Sequence, residues 1–342
     1  MGWKGYPSHQ YLHILKKLNM KKIASAFILG LSLLSFQGAF AQADSYPNRQ
    51  IKIISPFATG GIADGFSRII AQGLSEAYSQ PVIVENKTGG GGNIGADFVA
   101  KSPADGYTLI MGSIGTHAVN PYLVKNMPYD PLKDFVPVAF VLDAEGLLAV
   151  NPNLPVKSVS ELIAYVKSHP GKVSYGSGGI GTASNLAGEL FNLTAKIDMT
   201  HIPYKGNALA ITDLIGGQTQ VMFATMPTIL PYVKSDKLRG LAVTGATRDP
   251  SMPDLPSISE TLPGFDVKNW IGLFAPTGTP PAIVKKLHAE VNKIMMQAAV
   301  QKKLESEGAK YYAMTPEAFG AFQKKESVRW GKIIKSAGIK PE

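Results

Sequence analysis

Five segments of this sequence combine glycine with small hydroxyl residues, and the chemistry open to them is the holding of an anion. They are Pro56-Phe57-Ala58-Thr59-Gly60-Gly61-Ile62-Ala63-Asp64, Lys87-Thr88-Gly89-Gly90-Gly91-Gly92-Asn93, Gly112-Ser113-Ile114-Gly115-Thr116, Gly176-Ser177-Gly178-Gly179-Ile180-Gly181-Thr182 and Pro203-Tyr204-Lys205-Gly206. Glycine lets the backbone come close to a ligand, and free N–H groups at a helix start carry partial positive charge. Such a loop holds a carboxylate, phosphate or sulfonate without an arginine, and Ser or Thr adds a hydroxyl donor.

Other chemistries are less well served. Gly90, Gly92, Gly95 and Gly176, Gly178, Gly181 match the dinucleotide fingerprint formally, but neither set is followed about twenty residues on by an acid for a ribose. Ser113 and Ser177 each follow a glycine directly, so neither sits in a Gly-x-Ser-x-Gly elbow. His117 and His201 lack metal-ligand spacing and read as structural histidines. Asp64, Glu189 and Asp213 open or lie within helical patterns, which favours capping or surface roles over acid–base roles. Asp64 stands out, because at a helix start beside an anion loop it can cap the helix or accept from a ligand water or amine.

The elements that must present these loops alternate. Ile51–Ile54, Val82–Val84 and Tyr107–Met111 read as strands, with helices over 64–78 and 93–101 between them. This β-α-β-α-β order implies a parallel sheet covered by helices. The run Val136–Val150 is broken only by Asp143-Ala144-Glu145-Gly146 and suits a strand crossing between lobes. The alternation then restarts: helix 158–168, strand 172–175, helix 182–194, strand 200–203, helix 207–215, strand 221–223, helix 227–234 and strand 238–243. After a Pro-rich loop over 249–263, strand 270–275 is a candidate return crossing. Pro280-Pro281 opens a helix, and another spans 316–337. In open α/β sheets ligands sit where strands hand over to helices, which is where the glycine loops fall.

The 342 residues suggest about two domains. Formal net charge is +9, with no cysteine, which excludes disulfide scaffolds, thiolate metal sites and cysteine nucleophiles. Met20-Lys21-Lys22, a Ser- and Gly-diluted apolar stretch to Phe40, and Ala39-Phe40-Ala41 read as a cleavable secretory leader with an upstream extension. Cleavage is expected between Ala41 and Ala43. Lys4, Lys16, Lys17, Lys21 and Lys22 precede Ala43 without an acid, so the mature chain keeps 29 basic residues against 25 acidic ones, a net +4. The remaining Lys and Arg are scattered, with one cluster at helical spacing in the C-terminal helices (Lys285, Lys286, Lys293, Lys302, Lys303, Lys324 and Lys325) that reads as a solvated helix face, so no nucleic-acid partner is expected.

The loops, taken in order with Val84-Glu85-Asn86, Asp105-Gly106-Tyr107-Thr108-Leu109, Gly216-Gly217-Gln218, Lys237-Leu238-Arg239 and Ala275-Pro276 before Gly278-Thr279-Pro280, resemble the Bug (TctC-like) family of periplasmic solute receptors of tripartite tricarboxylate transporters. The resemblance spans roughly residue 46 to the C-terminus. It implies an α/β type II periplasmic binding protein fold: two lobes, a ligand cleft and a crossing-strand hinge. The expected organisation is a cleaved segment over 1–43, a first lobe over 44–145 completed by 267–342, and a second lobe over 146–266.

The resemblance also implies a periplasmic, monomeric receptor without cofactor, metal or catalysis. It would bind a small organic carboxylate, such as citrate, aspartate, glutamate, nicotinate or an aromatic dicarboxylate, and deliver it to membrane permease subunits. Carried over by motif, Phe57, Ala58, Thr59, Gly60 and Gly61, with Asp64, form one jaw. Ser177, Gly178, Gly181 and Thr182 with Tyr204, Lys205 and Gly206 form the other, and Ser113 and Thr116 lie near the cleft floor. Thr59, Ser177 and Thr182 help backbone amides hold the carboxylate, while Phe57 and Tyr204 contact its organic body. Asn185 stands where the family commonly has a His, and Ala224-Thr225 where an Asp is common. Those departures favour a less polar or larger anion. Two other functions share the features: a secreted serine hydrolase using Ser113 or Ser177, and a ligand-sensing receptor that feeds a signalling partner.

Overall fold

The computed structural model describes residue 1 and residues 46–250 and 252–336. The predicted leader and its cleavage site, residues 20–43, lie outside the described residues. The chain divides into Met1–Asn48, whose described residues belong to no helix or strand, and a body, Arg49–Glu342, to which all that follows refers.

The body contains two sheets of one design. In the first, β1 (Ile51–Ser55) pairs in parallel with β2 (Val82–Asn86) on one side and β3 (Thr108–Ser113) on the other. Beyond β3 come β10 (Asn269–Pro276), β4 (Phe135–Ala144) and the two-residue β11 (Ala309–Lys310), each antiparallel to its neighbour. In the second sheet, β6 (Ser174–Ser177) is parallel to β7 (Thr200–Pro203) and β8 (Val221–Thr225). Then come β5 (Gly146–Val150), antiparallel to β8, and β9 (Arg239–Val243). Both sheets therefore run second strand, first strand, third strand, one antiparallel strand, fourth strand. The antiparallel strand is in each case the one that arrives from the other sheet. β5 follows β4 after Glu145 alone, and β10 follows β9 after the loop 244–268. The expected single crossing strand over 136–150 is thus two strands in two sheets, with Glu145 at the hand-over.

Helices cover the faces as the apolar spacing predicts. Phe66, Ile70 and Leu74 bury one stripe of α1 (Ile62–Tyr78), and the helix ends at Ser79 in the left-handed region. α2 (Asn93–Ala100) follows β2. A π turn (Gly115–Val119) and α3 (Asn120–Leu123) follow β3, where the sequence suggests only a loop. In the second half come α4 (Val159–Ser168), α5 (Ala183–Ala195), α6 (Asn207–Ile215) and α7 (Met226–Lys234). The chain closes with α8 (Pro281–Met295), α9 (Ala298–Ser306) and α10 (Pro316–Ser336). α9 and β11 leave no clear period in the sequence.

The core beneath α10 is aromatic. Phe319 meets Phe140 edge-on at 5.6 Å, Trp270 at 5.9 Å and Phe274 at 5.0 Å. It lies over Gly272 of β10, where any side chain would collide with its ring. This packing anchors β10, the returning strand, against the first sheet. Among the described residues, no helix is long and apolar enough to cross a membrane.

Candidate functional site

Each half presents a glycine loop between its first strand and the helix that follows, and the two loops are braced alike. After β1, Gly60 (φ 86°) donates its N–H to Asp64 Oδ2 at 3.0 Å. After β6, Gly181 (φ 77°) donates to Asn185 Oδ1 at 3.0 Å. Positive φ at these two turns suits glycine, because a Cβ there crowds the carbonyl. Asp64 and Asn185 occupy the first turns of α1 and α5, and each reaches back four residues to fix the loop.

Asp64 is almost fully buried. Its carboxylate also accepts from Arg68 Nε (3.1 Å) and Nη2 (2.9 Å) and from Asn86 Nδ2 (2.8 Å). Burial pushes this carboxyl up, but the bonds from Arg68, Asn86 and the Gly60 N–H outweigh it and hold Asp64 below the usual range. Its lone pairs are thus engaged inside the loop, so Asp64 shapes the jaw from behind.

Several expected hydroxyl donors are likewise engaged within their own loops. Thr116 Oγ1 accepts from Ser113 N (3.0 Å) and lies 2.8 Å from His117 Nδ1. Thr182 donates to Gly179 O (2.7 Å) and caps α5 by accepting from Asn185 N (3.4 Å). Ser184, which the sequence did not single out, accepts from Gly178 N (2.9 Å) and lies 3.2 Å from Asn207 Oδ1. Tyr204 N donates to Ser177 O (3.0 Å), tying the fifth loop to the fourth, while its hydroxyl donates to Asp213 Oδ2 (2.7 Å). Burial first, then Asp213, pushes that phenol up to about 12. Lys205 is exposed, Gly206 is the N-cap of α6, and Thr225 is the N-cap of α7.

The backbone of helix starts is also open to an anion. α1, α2 and α6 begin at Gly61, Gly92 and Gly206, and none of the three has a capping side-chain bond. At α2 the N–H groups of Asn93 and Ile94 already bond the turn before them, to Gly90 O and Gly89 O, whereas the first-turn N–H groups of α1 and α6 have no intrahelical acceptor. By contrast Ser158 caps α4 through the N–H of Glu161.

The two halves meet at these loops. A Cβ added to Gly91 would fall 2.5 Å from Ile180 O, and one added to Gly115 would fall 2.5 Å from Gly181 O. One added to Gly181 would fall 2.1 Å from Asn120 Oδ1. Phe57 and the Thr116 methyl both border Gly92, at 3.3 and 2.7 Å from a Cβ built there. Phe57, Ser113, Thr116, Gly181 and their neighbours therefore belong to one region between the sheets. A small pocket beside it, at the crossing strands, is lined by Ala183, Ser184, Ala187, Phe223, Ala224 and Thr225 with Asn269 of β10. Apolar atoms dominate that wall.

One pairing was not legible in the sequence. Ser177 Oγ lies 2.6 Å from His201 Nε2, with Ser177 fully buried and the His201 ring stacked on Tyr175 at 4.8 Å. Burial lowers the imidazole to about 4, so the ring is neutral at pH 7. Asn185 Nδ2, at 3.5 Å, is the side-chain amide beside Nδ1, where a nucleophilic triad needs a carboxylate. Asn185 also donates to Tyr175 Oη (3.1 Å), whose hydroxyl in turn bonds Glu189. The chain from Ser177 to Glu189 reads as a buried polar brace under the second jaw.

Two sheets that share a five-strand order, each lending a strand to the other, with glycine loops facing each other between them, define a two-lobed solute-binding protein. The family model of the tripartite tricarboxylate transporter family receptor, TctC, matches residues 66–339. Protein BugT of Bordetella pertussis is 37% identical over 300 residues, 87% of this chain and 92% of that protein. The chain belongs to the TctC, or Bug, receptor family. Among solved structures, Rpa4515 of R. palustris with adipate superposes with a TM-score of 0.83 at 38% identity, covering 87% of this chain and all of that one. MatC from Rhodopseudomonas palustris with bound malate gives 0.80 at 34% identity, covering 84% and 100%.

Proposed function

We propose that this protein is a periplasmic receptor that closes around a small organic carboxylate and hands it to the permease subunits of a tripartite tricarboxylate-type transporter. The observation that carries the reading is the meeting of the glycine loops across the two sheets, with helix starts at Gly61 and Gly206 that no side chain caps. A carboxylate is the ligand such uncapped N–H groups accept without a counter-charged side chain. The lobes are residues 44–145 with 267–342 and residues 146–266, and the cleft between them is the binding site. The receptor works as a monomer without a cofactor. Relatives that hold adipate and malate support the ligand class.

A thermal-shift screen tests it, since a ligand at a hundred times its Kd stabilises by about 2.7 kcal/mol. Dicarboxylates of four to six carbons and aromatic carboxylates are expected to raise Tm. A screen in which no carboxylate does so at millimolar concentration overturns the reading. The Ser177–His201 contact favours one rival, acyl transfer. Ser177 is buried and no acid orients His201 among the described residues, so no turnover of a phenyl ester is expected.

A further inference from the structure

Asn120, the first residue of α3, is 1% exposed, and one of its terminal amide atoms is buried without a hydrogen-bond partner. That atom faces the second jaw, since the Cβ position of Gly181 lies 2.1 Å from it. The other terminal atom lies 2.6 Å from an amide atom of Asn93. The same Asn93 atom lies 2.8 Å from Tyr129 Oη, and Tyr129 Oη lies 2.9 Å from the carbonyl oxygen of Thr116.

The protons of this cluster can be counted. Amide oxygen and nitrogen are interchangeable by rotation of the amide, so the network decides which is which. Tyr129 has one proton and two short contacts. Thr116 O can only accept. If the phenol donates to Asn93, two bare oxygens are left facing each other at 2.9 Å. If it donates to Thr116 O, Asn93 must present its NH2 to Tyr129. The same NH2 then meets Asn120, which must present its carbonyl. All three short contacts become hydrogen bonds only in this second arrangement. It leaves the NH2 of Asn120 aimed at Gly181, and a buried donor of that kind is costly to leave unmade.

We infer that Asn120 is a specificity-determining ligand contact: its NH2 donates to a carboxylate oxygen of the solute held against the Gly181 loop. The inference rests on the carboxylate reading above and adds a residue to it. The side chain favours a charged ligand oxygen, because its bond to a carboxylate is charge-assisted and stronger than one to an amide oxygen.

The test is calorimetry on the full chain at pH 7.5, with adipate, malate and their monoamides as probes. The wild type is expected to prefer the dicarboxylate to its monoamide. Asn120→Ala should weaken the dicarboxylate by about 10- to 100-fold, the range for one bond to a charged group, and shrink that preference. Asn120→Asp sets a carboxylate against a carboxylate. It should weaken the dicarboxylate by more than about 100-fold and reverse the preference, because the monoamide can donate to it. Melting of the ligand-free variants near the wild-type temperature shows that the effect lies in binding. Should Asn120→Asp not fold, the shrunken preference of Asn120→Ala decides alone. Affinities within threefold of wild type in both variants overturn the assignment and leave the carboxylate reading standing. Equal weakening of dicarboxylate and monoamide also overturns it, because that marks a contact between the jaws instead of a contact to ligand. A wild type that binds neither dicarboxylate overturns both.

Discussion

Asp64 and Asn185 perform one task in the two halves, and the sequence shows only part of it. Position beside a glycine loop is visible in the chain. The partners are not, because Asn86 lies 22 residues from Asp64 and Tyr175 ten from Asn185. His201 is the clearest case, since nothing in its spacing places it on Ser177, and only the parallel pairing of β6 with β7 does so. Its burial carries a pH consequence. The imidazoles of His201 and His117 fall, through burial, from 6.5 to about 4 and about 3 in the fold. Unfolded imidazoles take up protons near pH 6.5 while the folded ones resist. Stability therefore falls as pH drops from about 6.5 towards 4, and this loss is complete once the folded groups titrate. Asp143 acts in the opposite direction, because burial, opposed by Lys268, raises its carboxyl to about 6. The difference between wild type and His201→Gln isolates the histidine. The variant should show a shallower decline of Tm between pH 7 and 4, and parallel declines would refute the assignment.

At the scale of elements, the β-α alternation was legible because buried strands and amphipathic helices leave different periods. The segment after β3 does not show its turn. Residues 111–120 are all buried, the polar Ser113, Thr116, His117 and Asn120 with the apolar ones, so no solvent-facing side of the π turn marks a helical period. The five glycine loops were legible as a class, but the division of labour within them was not. Hydroxyls expected to meet a ligand, such as that of Thr182, instead bond their own loop. Gly60 and Gly181 separate two reasons for glycine. A Cβ at Gly60 meets nothing within 4 Å, so Gly60→Ala incurs only the left-handed conformation, about 1–2 kcal/mol of stability. Gly181→Ala incurs the same dihedral cost and also drives a methyl into Asn120 of the other half. Urea unfolding should show comparable losses for the two variants in the absence of ligand. Carboxylate affinity should fall much further in Gly181→Ala. Equal losses of affinity would mean that the contact with Asn120 is irrelevant to the bound form.

At the scale of the molecule, the two sheets trade strands at two crossings, Glu145 and 244–268, and these are the hinge of the receptor proposed above. Lys268 lies at one crossing and reaches Glu145 at the other (3.1 Å), so the two crossings are also joined by charge. For the closing receptor proposed above, contacts made only when the jaws meet set how readily it closes. Ligand affinity carries that equilibrium as a factor. Gly115 offers a way to change it alone. It sits in the π turn, its φ is not among the positive ones, and beyond its chain neighbours no atom of the first half comes nearer to a Cβ there than Ser113 Oγ, at an ordinary 3.6 Å. Across the seam the same Cβ falls 2.5 Å from Gly181 O, which is backbone and cannot rotate away. Gly115→Ala should therefore fold and melt like wild type without ligand, yet resist closure. Each 1.4 kcal/mol of resistance lowers affinity about tenfold, whichever carboxylate is used. Small-angle scattering should show the wild type becoming more compact on adding ligand and the variant doing so less at equal saturation. Wild-type affinity together with wild-type compaction in Gly115→Ala would show that the approach of Gly115 to Gly181 plays no part in closure.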